Sequence, residues 1–274
     1  VKSLSSSSLQ GGEKKMEFSA RRLKTFLECP RKFQFTYIDQ IPVPTPSPLA
    51  FGKTIHEVIE SIHLDGLWEE SKALSLFRSL WEKRQREEPI LFTDQTPEKY
   101  EKLAEKILSG YIRRQKELPP PLLVEFEFSI PFGEVQLHGF IDQIREEGGG
   151  LVIVDLKSDK SKPSRAELDM DLQFTIYAFA AHQIFLQPIK ACIHYHLRTN
   201  EEILTYRDPE RCAETIGEVI RFVNQNIKAG VFPPNRGIQC RWCPFAFLCE
   251  RDPVWQSQAP LGENSPLLNE TKRR

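Results

Sequence analysis

Asp155 stands near the end of LVIVDLK (151–157), an otherwise almost continuous apolar run. An ionised carboxylate in a buried strand is costly unless a cation or strong donors answer it. Strand side chains alternate between faces, so Asp155 and Lys157 point the same way, ~7 Å apart along the strand. Asp142 ends the preceding strand, on the face of His138 and Phe140. If the turn between them centres on Glu147 and Gly148, Asp142 falls opposite Ile153 and diagonal to Asp155, within reach of a shared ion. Two carboxylates and an ammonium gathered in this way suit phosphodiester hydrolysis. The carboxylates hold a hard divalent cation such as Mg²⁺, which polarises a phosphoryl oxygen and activates a water. The lysine orients that water and offsets charge in the transition state. A structural ion pair at a strand end is the alternative reading of Asp155 and Lys157, because a three-residue D-x-K pattern also arises by chance.

The cysteines offer a second chemistry. Cys240, Cys243 and Cys249 form C-x₂-C-x₅-C in IQCRWCPFAFLCE, a metal-binding signal one thiolate short of four. Cys192 and Cys212 have no cysteine near them in sequence and read as core residues. Cys192, His194 and His196 share one strand face, where a buried Cys beside edge histidines is a plainer reading than a second metal site.

The elements that must hold these groups follow from hydrophobic period and punctuation. Ser19 is an N-cap for a helix in which Leu23, Phe26, Leu27 and, beyond Pro30, Phe33 and Tyr37 recur at helical spacing. IPVPTPSP (41–48) forces extended backbone. A second helix begins near Gly52, with Ile55, Val58, Ile59 and Ile62 on one face, and further helices cover roughly 69–88 and 97–117. The period then changes: 122–130 and 134–144 alternate as half-buried strands, REEGGG (145–150) suits a hairpin turn, and 151–157 is a central strand. Helix over 171–186, strands over 190–197 and 202–206, and a long helix over 209–229 complete an α/β pattern with an inserted N-terminal helical portion and a Cys-rich end.

Composition agrees with a folded domain. Of 274 residues, 40% are hydrophobic and 27% charged, and no stretch approaches the ~18 apolar residues of a membrane span. Residues 1–16 read as a disordered polar leader, with Met16 as the expected physiological start; 17–255 read as one domain and 256–274 as a polar tail. With no apolar core of a secretory signal near the beginning, the expected location is cytoplasmic and the cysteines are expected to be reduced. Lys and Arg number 37 against 38 Asp and Glu, so affinity for a polyanion must come from local patches. The candidates are scattered: Arg21, Arg22, Lys24, Arg31, Lys32, Lys160, Lys162 and Arg165. No P-loop pattern is present.

In this order the motifs resemble those of the PD-(D/E)xK nuclease superfamily, and within it the RecB-like branch with an iron–sulfur cluster, which includes CRISPR-adaptation nucleases and the AddB nuclease domain. FGKTIHEVIE (51–60) resembles the Gly-x-x-x-His helix of that branch, which makes His56 the expected metal-coordinating histidine. GFID (139–142) resembles the strand bearing the first carboxylate, and VDLK (154–157) the (D/E)xK strand. The resemblance thus implies Asp142 and Asp155 as metal-binding carboxylates, the Leu156 carbonyl as a further ligand, and Lys157 as the catalytic lysine. QFTIY (173–177) resembles the Q-x-x-x-Y helix, in which Gln173 and Tyr177 support the site and contact DNA. Lying at i and i+4, these two can present hydrogen-bonding groups to one phosphate or to Lys157. Glu60 and His63 continue the stripe begun by His56, with Glu60 a supporting possibility. The branch takes its fourth cysteine from a distant Cys-Pro, and ECPRKF puts Cys29 in that place.

The resemblance implies a restriction-endonuclease-like core: a central mixed sheet flanked by helices, with the N-terminal helical insertion and a C-terminal cysteine segment. Four thiolates suit a 4Fe–4S cluster or tetrahedral zinc by charge and softness, and the single C-x₂-C with a distant first cysteine resembles the iron–sulfur pattern. Joining Cys29 to Cys240 closes a long loop, so the cluster's implied role is a structural staple. The function implied is a Mg²⁺- or Mn²⁺-dependent deoxyribonuclease, an exonuclease on single-stranded or frayed DNA ends. Repair, recombination or CRISPR-related processing is its setting, with a helicase or other such proteins as partners and no membrane. The alternative is a non-catalytic DNA-binding or scaffold subunit that keeps the Fe–S or zinc staple.

Overall fold

The computed structural model describes residues 15–249. Most of the expected leader and all of the expected tail lie outside these residues. The first described element is a strand, β1 (Met16–Phe18), which pairs in parallel with Val135–Leu137. Ser19 then caps α1 (Ala20–Glu28) by accepting the Arg22 N–H, and Pro30 opens α2 (Pro30–Phe33), which runs on into a wider helical turn over Gln34–Ile38.

The Pro-rich segment is extended only to Pro46. It contributes β2 (Thr45–Pro46), and α3 (Ser47–Leu64) starts there, several residues earlier than expected. Pro48 fits the first helical turn, where its missing N–H has no intrahelical partner to lose. Next come α4 (Glu70–Glu87), β3 (Ile90–Leu91), which pairs with β2, and α5 (Pro97–Gln115).

The main sheet follows with β4 (Leu123–Phe132), β5 (Val135–Glu147) and β6 (Gly150–Lys157). A short helix, α6 (Arg165–Asp169), begins at a Ser164–Glu167 capping box in what the sequence presents as polar loop. Helix α7 (Leu172–Phe185) crosses to β7 (Ile189–His196), and β8 (Glu201–Thr205) and α8 (Pro209–Ala229) come after it. A 3₁₀ turn over Ile238–Trp242 and α9 (Ala246–Cys249) close the described chain. The sheet runs β1-β5-β6-β7-β8, with β4 also on β5; β6 and β7 are parallel and the neighbouring long pairs antiparallel. It is a mixed sheet flanked by helices, as expected.

Helices cover both faces of the centre. On one side Leu23, Phe26, Phe33, Ile176, Ile216 and Val223 pack on Ile141, Ile144 and Ile153. On the other, Phe51, Ile55, Val58, Trp81, Tyr100 and Ile107 pack on Val152, Val154 and Leu156. Strand β6 is therefore buried until its last residue, Lys157. This is why its sequence is a nearly unbroken apolar run.

Under α3 a polar network is enclosed. His63 Nε2 lies 2.7 Å from the Tyr111 hydroxyl, which also receives Gln143 Nε2, and Arg145 reaches Gln143 Oε1 at 3.3 Å. Burial, helped by the Arg145 charge, pushes His63 down to about 4 from its ordinary 6.5. His63 is thus neutral in the fold, while the unfolded chain takes up the proton first as pH falls. Stability from this group is complete above pH 6.5 and declines between 6.5 and about 4. Urea midpoints across that window should show the parent losing stability relative to His63→Gln as pH falls.

Candidate active site

The site is built where β6 ends. The ladder to β5 pairs Gln143 with Val154 and Ile144 with Ile153, down to Glu147 with Gly150. The turn centres on Gly148 and Gly149, both at positive φ, one residue later than expected, because β5 runs through Glu147. Asp142 therefore comes level with Asp155, not opposite Ile153. Backbone pairing stops at this point, and the Asp142 carboxylate itself accepts the Leu156 N–H at 2.6 Å.

Across β5 the ladder to β4 opens at the same level. Val124 pairs with Gln143 and Phe126 with Ile141, while Glu125 between them has φ 46°. A non-glycine residue in the left-handed region costs of order 1–3 kcal/mol and persists only when its surroundings hold it there. Here those surroundings are His56, whose Nδ1 lies 3.3 Å from Glu125 Oε1 and 3.5 Å from Asp142 Oδ1. His56 Nε2 lies 3.0 Å from the Leu156 carbonyl oxygen. The ligand atoms of His56, Glu125 and Asp142 all fall within 4.8 Å of one another.

The second half of the site comes from the other face. Lys157 Nζ is 2.8 Å from Asp155 Oδ1, and Gln173 Nε2 donates to the same oxygen at 2.9 Å and to the Tyr177 hydroxyl at 2.8 Å. The expected i, i+4 pair is thus joined directly, and Gln173 meets Lys157 only through their shared partner Asp155. Gln173 is held by its helix end: Asp171 caps α7 by accepting the Gln173 and Phe174 N–H groups, and Lys24 of α1 pairs with Asp171 at 2.9 Å. Gly139 makes room for the chain of contacts. A Cβ there would come 3.0 Å from the Phe128 ring and 3.5 Å from that of Tyr177.

The charges interact strongly. Burial alone would lower His56, but Asp142 and Glu125 outweigh it and raise it to about 10, so in this arrangement the ring is an imidazolium donating from both nitrogens. Burial would raise Asp142, yet the charges of His56 and Lys157 and the Leu156 N–H hold it below the usual carboxylate range. Asp155 goes the other way, up to about 6, because burial and the Asp142 charge exceed the attraction of Lys157. Burial works against a charged Lys157, but Asp155 and Asp142 more than compensate and keep it protonated.

Every residue expected at the site is therefore brought to the end of β6: His56, Asp142, Asp155, Leu156, Lys157, Gln173 and Tyr177. They do not form one shell. The compact ligand group contains Glu125 in the place where the sequence pointed to Asp155. Glu125 was missed because alternation in LLVEFEFSI makes it look like any solvent-facing strand residue, and nothing in the sequence announces its left-handed backbone. Glu60 is raised by burial and by the Glu125 charge, but it lies outside the group of three that could hold a metal ion.

Two connected clefts flank Lys157. One is lined by His56, Glu125, Phe140, Leu156 and Lys157. The other is lined by Asp155, Lys157, Gln173 and His194, with Lys24, Lys160 and Lys162 around it. The scattered cations are mostly engaged: Lys32 with Glu28, Lys160 with Asp94, Lys162 with Glu201 and Arg165 with Asp169.

Cys29, Cys240, Cys243 and Cys249 border a single small pocket with Phe35 and Phe245. The Asn235 N–H points at Cys29 Sγ, 3.4 Å away. Cys192 and Cys212 are buried, and burial pushes their thiols up to about 12 and about 11. His196 is spent on Thr199 Oγ1 and the Asp159 carbonyl, and among the described residues no metal-ligand group forms around it.

The sequence model of the PD-(D/E)XK nuclease superfamily matches residues 17–250. Among solved structures, a candidate exonuclease from Eubacterium rectale superposes with a TM-score of 0.50 at 12% identity, covering 92% of each chain. The protein SSO0001 superposes with a TM-score of 0.40 at 12% identity, covering 87% of this chain and 88% of that one. No curated protein matches by sequence. No helix among the described residues is long and apolar enough to cross a membrane.

If Glu125 is a ligand, Glu125→Gln should bind Mn²⁺ at least tenfold more weakly in a calorimetric titration while its thermal unfolding stays near that of the parent.

Proposed function

The chain belongs to the PD-(D/E)XK nuclease superfamily, and from that premise we propose that it is a divalent-metal-dependent DNA nuclease, an exonuclease acting on single-stranded or frayed ends. The observation that carries the reading is the convergence of His56, Glu125 and Asp142 on one side of Leu156 with Asp155, Lys157, Gln173 and Tyr177 on the other. One imidazole and two carboxylates at the edge of an open cleft suit Mg²⁺ or Mn²⁺. Asp155, level with Asp142, is the further carboxylate we assign to that centre. Bound there, the ion supplies Lewis-acid polarisation of the phosphoryl oxygen and a more acidic water.

The chain's own groups do the rest. His56 turns Nδ1 to the carboxylates while Nε2 is fixed by the Leu156 carbonyl, the kind of orienting contact a ligating histidine needs. That carbonyl, expected as a ligand, therefore has at least this positioning role. Lys157, kept protonated by two carboxylates, stands where it can orient the attacking water and offset the phosphorane-like charge. Gln173 holds Asp155 by donating to its Oδ1 and also donates to the Tyr177 hydroxyl.

We assign the chain to the RecB-like branch and its cysteine pocket to a 4Fe–4S cluster. Four thiols on one pocket supply the donor set. The single C-x₂-C with a distant first cysteine, as in the branch it resembles, is what supports the cluster over tetrahedral zinc. DNA repair or CRISPR-related processing is the setting we propose, with strand separation supplied by a partner such as a helicase.

Purified protein should release nucleotides from end-labelled single strands only with Mg²⁺ or Mn²⁺. Lys157→Ala should reduce the rate about 10²–10³-fold while Mn²⁺ binding persists. Parent protein that binds DNA and metal but releases nothing would overturn the reading in favour of a scaffold subunit. Anaerobically purified protein should contain iron with visible charge-transfer absorption, and Cys29→Ser should lose both and melt at lower temperature; stoichiometric zinc without iron would refute the cluster.

A further inference from the structure

The cleft beside the metal-ligand group carries a side chain that the chemistry above does not use. Phe140 lies on β5 two residues before Asp142, and half of its surface, 50%, is exposed. Its neighbours across the ladder are polar: Glu127 pairs with Phe140, and Ser129 with His138. Gly139 faces Phe128 and Tyr177, so the alternation of the strand turns Phe140 to the opposite side, away from the core of α7. There it lines the cleft with His56, Glu125 and Lys157, and with Pro46, Pro48 and Leu49 from the start of α3. The cleft thus joins a charged floor to an apolar wall.

We propose that Phe140 is the stacking platform for an unpaired base of the DNA strand whose phosphate is cut, and so the residue that makes the site select single-stranded over paired DNA. This rests on the nuclease reading and names its substrate class. A nucleotide has the matching division, with a charged phosphate for the ligand group and Lys157, and a flat apolar base for an aromatic ring. Within a duplex each internal base has both faces covered by stacked neighbours, and the end base is held in its pair, so no splayed base is free to lie on the ring. A base stacked on an aromatic side chain is sequence-tolerant, because every base has a π-face.

The test compares Phe140→Ala and Phe140→Trp with the parent protein on three end-labelled substrates in Mn²⁺. These are a single strand, the same strand carrying one stable abasic residue walked through successive positions, and a blunt duplex. Phe140→Ala should raise KM on the single strand about tenfold, with a smaller effect on kcat, and Phe140→Trp should restore it. At one abasic position the parent should lose the same factor, and there parent and Phe140→Ala should become equal. Duplex cleavage should change little. The proposal falls if Phe140→Ala stays within twofold of the parent on the single strand, or if its loss is the same on every abasic substrate and on duplex. A parent protein that cuts nothing would instead remove the nuclease reading on which this rests.

Discussion

Three carboxylates, Glu125, Asp142 and Asp155, meet at one end of the sheet with two cationic groups to answer them, His56 and Lys157. The imbalance is visible in how the groups titrate. Asp142, which has the histidine, the Leu156 N–H and the field of the lysine, is held down, whereas Asp155 is pushed up to about 6 in spite of a lysine in contact. With both cations charged, one negative charge is left over. His56 answers the same excess from the other side, since its Nδ1 lies 3.3 Å from Glu125 Oε1 and 3.5 Å from Asp142 Oδ1. The negative excess thus belongs to the three carboxylates together, as the fold gathers them, and not to any single side chain.

The fold produces this concentration by ending things together. Strand β6 is sealed on both faces until Lys157, so polar chemistry has access only at its carboxyl end. Helix α3 brings His56 to that end from one face, and α7 brings Gln173 and Tyr177 from the other. The ladders on both sides of β5 give up regular pairing at Glu125 and Asp142, which frees the carboxylates from alternation and lets Asp142 take a backbone N–H that a strand partner would otherwise fill. The helices that supply His56 and Gln173 are anchored in separate hydrophobic cores, α3 in one and α7 in the other.

What was legible in the sequence was whatever depends on pattern over several residues. The apolar run of β6, the alternation of β4 and β5, the N-cap at Ser19 and the helical face of Ile55, Val58 and Ile62 all express burial, and burial leaves a periodic trace. The reading of His56, Asp142, Asp155, Lys157, Gln173 and Tyr177 rests on spacing that resembles a family's motifs, and the fold gathers all six at the end of β6. Two things left no trace. The register of the β5–β6 hairpin depends on which of Gly148, Gly149 and Gly150 turns the chain, and three consecutive glycines do not say. Glu125 depends on one backbone torsion that glutamate rarely adopts, so its sequence context describes an ordinary surface position. The start of α3 was misplaced for a related reason: a proline in a first helical turn looks, in sequence, the same as a proline that prevents a helix.

Helix α1 runs between the end of β6 and the cysteine-lined pocket. Lys24, near its middle, holds Asp171, and Asp171 caps the helix that aims Gln173 at Asp155. Five residues on, Cys29 ends the helix in extended backbone and enters the pocket it shares with Cys240, Cys243 and Cys249. Phe26 and Phe33 pack against Phe232, so the C-terminal segment is also fixed to α1 and α2 by aromatic contact on the way to that pocket. An exposed lysine–aspartate pair by itself contributes little. Its effect here comes from being carried on a helix that is packed at Leu23 and Phe26, because a charge on a fixed helix positions its partner, whereas the same charge on a loose one only accompanies it.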